Sequence, residues 1–73
     1  MKLVKMFAVN EDRYGVIKPD SIHTIYINPD HVVGVKQKQT PYGVDNDYSI
    51  VMFANYHETI IGSADKVAAE LLN

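Results

Sequence analysis

Tyr48-Ser49-Ile50-Val51-Met52-Phe53-Ala54-Asn55-Tyr56-His57-Glu58-Thr59-Ile60-Ile61-Gly62-Ser63 is the stretch on which the reading of the fold turns. Tyr48 to Ala54 is the most hydrophobic run of the chain and reads as a strand. Asn55-Tyr56 suits a two-residue hairpin turn, and His57 to Ile61 returns antiparallel. Ser63 is then a good N-cap, Asp65 suits the positive helix end, and Ala64, Val67, Ala68, Leu71 and Leu72 make one stripe at helical spacing. A helix over about 64–72 is too short to stand alone in water, so it needs a sheet to pack on.

Upstream, Leu3 to Val9 reads as a strand that ends at the polar turn Asn10-Glu11-Asp12-Arg13. Tyr14 to Lys18 is β-prone but runs into Pro19, which makes it an edge strand or an arm. Ile22 to Asn28 places His23, Ile25 and Ile27 on one face and Ile22, Thr24 and Tyr26 on the other. Asn28-Pro29-Asp30-His31 is a tight turn in which the Asn28 side chain can close onto the following backbone. The strand that begins at Val32 runs out into solvent through Lys36-Gln37-Lys38-Gln39-Thr40, and 41–47 reads as an irregular loop. The expected order is six strands and one helix. The fold class is α+β, mainly β: a small curled antiparallel sheet or partly open barrel with one short C-terminal helix, in a single domain over 1–73.

The chain has 73 residues and no cysteine, so disulfides cannot supplement its small core, and thiolate chemistry is excluded. A hydrophobic fraction of 47% with 22% charged residues is that of a globular domain. No run approaches a membrane span, and the first residues lack the apolar core of a signal peptide, so no membrane association and a cytoplasmic location are expected. Net charge is −2 and Arg13 is the sole arginine, which argues against a long nucleic acid as partner.

No catalytic constellation emerges, and the chain reads as no enzyme. The serines have no nucleophile-elbow context, and the carboxylate pairs Glu11/Asp12 and Asp45/Asp47 fall in solvated turns. His23, His31 and His57 sit on separate elements without metal-ligand spacing, so no metal is expected; the scattered glycines form no phosphate loop, and no cofactor is expected. Five tyrosines in so short a chain, with Tyr42 and Tyr56 in turns, leave aromatic stacking open. Lys36 and Lys38 share one face of a strand end beside Tyr42, and with Arg13, Tyr14 and Tyr56 they form the candidate ligand-binding set. The bland reading of the lysines is a soluble strand edge.

Ile27-Asn28-Pro29-Asp30-His31-Val32-Val33-Gly34-Val35, followed by a hairpin and a serine-led helix, resembles the FlbD-like small bacterial and phage proteins. In that family a first strand, an Ile-Asn-Pro turn into a strand, a hairpin and a strand leading through serine into a short helix recur. The resemblance implies a non-enzymatic regulatory or accessory protein and carries over no functional residue. The leading expectation is therefore a homo-oligomeric binding protein that holds a partner protein or a small ligand. The alternative is a sponge that sequesters a small anionic messenger, nucleotide-derived or of another kind, at a subunit interface, as in phage counter-defence. Homo-oligomerisation is expected because both faces of Tyr48 to Ala54 are apolar and one helix can cover only one of them.

Overall fold

The computed structural model describes residues 2–72. Five strands, β1 (Val4–Val9), β2 (His23–Ile27), β3 (Gly34–Thr40), β4 (Gly43–Met52) and β5 (His57–Ile61), precede one helix, α1 (Ala64–Leu72). The strands form one antiparallel sheet in the order β2-β1-β5-β4-β3. The sheet does not close, so of the two architectures expected it is the open one, with β2 and β3 at its edges.

Alternation along each strand decides the two faces. Met6, Ala8, Ile27, Val51 and Ile60 share one face and are buried there with Val67 and Leu71 of α1, while Val4, Ile25, Val32, Val35 and Phe53 pack around them. Leu72, expected in the buried stripe, is exposed instead. At roughly 100° per residue it lies well around the helix from Val67, and only a stripe centred on Val67 and Leu71 reaches the sheet.

Three further expectations are corrected. Tyr14 to Lys18 is not a strand; it forms a single bridge between Ile17 and Glu11. The amides of Tyr14 and Val16 donate to the Asp12 carboxylate (2.7 and 3.0 Å), so the side chain takes bonds that a ladder would need. Gly15, at φ 80°, lets the chain reverse there.

The second correction concerns 41–47, which is not an irregular loop. Only Pro41 and Tyr42 turn, and β4 starts at Gly43. Its irregularity is a bulge: Gln37 pairs with Ser49 but Lys38 pairs with Asp45, leaving 46–48 extra on β4. The Gln37 amide nitrogen fills the gap, donating to the carbonyls of Asp45 (2.6 Å) and Tyr48 (2.8 Å). Its oxygen accepts from the amide of Ala64 (2.9 Å) at the start of α1, where Ser63 Oγ also accepts from Lys66. One side chain thus ties the bulge to the helix.

The third correction moves the last hairpin by one residue. Phe53 N–H donates to the Tyr56 carbonyl (2.8 Å), which puts Ala54 and Asn55 at the tip. The rings of Phe53 and Tyr56 stack across it with centroids 4.7 Å apart, and this contact sets the turn's ends. The Asn28 turn forms as its residues imply, with Asn28 Oδ1 accepting from the Asp30 amide at 3.0 Å.

Candidate functional site

Arg13, Tyr14 and Tyr42 lie on two braced turns, Lys38 at a buried position and Lys36 at an exposed position of β3, and Tyr56 at the β4–β5 hairpin. In the β3–β4 turn Thr40 Oγ1 donates to the Gly43 carbonyl and accepts from the Tyr42 amide, which fixes the backbone while the Tyr42 side chain stands fully in solvent. The 10–18 loop is held at its neck by Lys18 N–H on the Asn10 carbonyl and inside by Asp12. The amides of Val16 and Tyr14 hold the Asp12 carboxyl below its ordinary pKa.

Lys38 is the departure from expectation on local sequence grounds. It is only 7% exposed, and its Nζ lies 3.4 Å from Glu11 Oε2. Glu11 Oε1 in turn accepts from the Thr59 hydroxyl (2.5 Å), so a β3 lysine, a loop carboxylate and a β5 threonine form one network across the sheet face opposite α1. The lysine's charge is thereby matched within the fold. Glu11 is partly buried rather than in a solvated turn, and nothing in local spacing reveals this because its partner threonine is 48 residues away.

Around this network the surface is concave in three places. Tyr14, Val16 and Ile17 of the loop face Lys38, Tyr42, Asp45 and Tyr48 of β3 and β4 across a cleft of about 580 Å³. Lys36 and Lys38 line a neighbouring depression of about 500 Å³ with Glu11, Ile50, Met52 and His57. Arg13 lines a third, of about 660 Å³, with Glu11, Lys18 and Glu58, and its guanidinium lies 5.3 Å from the Tyr14 ring centroid.

Of the candidate set, the structure therefore brings Tyr14, Lys38 and Tyr42 together, places Lys36 and Arg13 in adjoining depressions, and leaves Tyr56 at the far end of β4, stacked on Phe53. Sequence reasoning missed Glu11, Val16, Ile17, Asp45 and Tyr48 as members of the same neighbourhood. Among the described residues no group of three His, Cys, Asp or Glu side chains could hold a metal ion, and no helix is long and apolar enough to cross a membrane.

Comparisons with protein-family profiles, with curated proteins and with solved structures give no match.

Proposed function

We propose that this chain is a non-enzymatic binding protein of the cytoplasm that works as a homo-oligomer, associating through the sheet face that α1 leaves open and holding a partner protein or a small ligand. The observation that carries the reading is the state of that face. Glu11 and Lys38 reach over one end of it, where Val9, Ile50 and Thr59 are buried; at the other end Phe7 is 49% and Tyr26 63% exposed, with Ile61 beside them also in solvent. A second copy removes this apolar surface from water and adds stabilisation that a cysteine-free chain of 73 residues has no disulfide to supply.

The resemblance of Ile27 to Val35 and of the serine-led helix to FlbD-like small proteins favours the same class, a regulatory or accessory role of bacterial or phage type. Native mass spectrometry of protein purified from its own host tests the reading, because it reports subunit count and retained ligand in one spectrum. A multiple of the chain mass is expected. Turnover of a substrate that is lost on one polar substitution would contradict the non-enzymatic assignment.

A further inference from the structure

We infer that the cleft between the 14–17 segment and the β3–β4 hairpin is a binding site for a planar aromatic ring that carries an N–H donor, neutral or cationic, and that it discriminates against anions. The inference rests on the binding role proposed above and names the ligand class of one site within it.

Three observations converge on this cleft. Its rims are apolar and exposed: Tyr14 is 78% and Tyr42 99% exposed, and Val16 stands beside them, all at a concavity of about 580 Å³, the size of a small-molecule site. Single exposed apolar side chains need no explanation, but these come from two segments more than twenty residues apart and meet at one concavity.

The rims are also preorganised. Tyr14 sits on a turn whose amides are held by Asp12, and Tyr42 on a turn closed through Thr40 Oγ1. Little backbone ordering remains to oppose binding, and tyrosine contributes a large stacking face with few rotatable bonds.

The third observation is charge. Lys38 supplies an aliphatic wall while its ammonium is matched by Glu11, so it offers no free positive charge to an anion. Asp45 lines the same cleft; its Oδ1 accepts from the Asp47 amide (3.0 Å), and its other oxygen is left as an acceptor. Arg13 lies 5.3 Å from the centroid of the Tyr14 ring without lining the cleft, so the rings of Tyr42 and Tyr48 and the Asp45 carboxylate are the groups that complement a donor-bearing or positively charged ring, by stacking, cation–π attraction and a charge-assisted hydrogen bond.

Benzamidine and benzoate, one ring with opposite charges, are the probes. Each is titrated into the isotope-labelled full chain, following backbone amide shifts by NMR. The expected result is saturable benzamidine binding with shifts centred on residues 14–17 and 38–48, benzoate weaker by about tenfold or more, and Tyr42→Ala and Asp45→Asn each weakening benzamidine by about tenfold with an unchanged spectrum elsewhere. Equal binding of the two probes, shifts centred elsewhere, or no saturable shift in the folded wild type would overturn the inference. The subunit count from native mass spectrometry is read separately, so a failed titration with an intact oligomer refutes this site alone, and a monomer that binds benzamidine refutes the oligomer alone.

Discussion

Ser49 shows how much a single residue can reveal here. It sits on the helix-covered face between Gln37 and Ile60, is fully buried, and its hydroxyl has no hydrogen-bond partner. A buried donor left unsatisfied costs on the order of 1–3 kcal/mol, so Ser49→Ala should raise stability by about 1 kcal/mol, measured as a higher denaturant midpoint at unchanged slope. Asp12 supplies a second prediction. Its pKa is lowered by the Val16 and Tyr14 amides and lies below its unfolded value, so its contribution is present in full above the unfolded value and is lost as pH falls through the lowered one. NMR chemical shifts of the Tyr14 and Val16 amides should therefore titrate together in that acid window, while those of β4 hold. Neither residue's role was legible in the sequence. Ser49 reads as an ordinary strand residue, and Asp12 reads as a turn residue whose reach to Val16 depends on the loop it helps to close.

At the scale of elements, what was legible is what is decided locally. The Asn28 turn needs three consecutive residues, the β4–β5 hairpin two apolar runs and a short gap, and α1 a capping serine with Val67 and Leu71 one turn apart. Elements decided by distant partners were not. The bulge at 46–48 exists because Gln37, from another strand, bonds the carbonyls of Asp45 and Tyr48. Tyr14 to Lys18 is the local exception: it is an arm rather than an edge strand because the neighbouring Asp12 side chain takes its amides. The same distinction runs through the candidate site, where Tyr42 and Lys38 were visible as neighbours in sequence but Tyr14 and Glu11 joined them only through folding. The helix carries a prediction of its own. Leu71 is buried in the main cluster, so Leu71→Ala should cost roughly 2–5 kcal/mol, and in a domain this small thermal unfolding should begin near ambient temperature. A melting curve that matches wild type would mean that α1 does not hold the sheet.

The whole molecule is a sheet with one finished face. α1 and the five sheet side chains buried beneath Val67 and Leu71 close one side, and the Glu11–Lys38–Thr59 network with the 10–18 loop closes part of the other. Phe7, Tyr26 and Ile61 remain in water. The central claim is that a second copy covers them. Light scattering on a sizing column, with wild type and Phe7→Glu run side by side across a wide dilution range, is the most direct test. The account predicts an oligomeric mass for wild type that falls on dilution, and a folded species of monomer mass for Phe7→Glu at every concentration. Wild type eluting as a folded monomer throughout the range would contradict it.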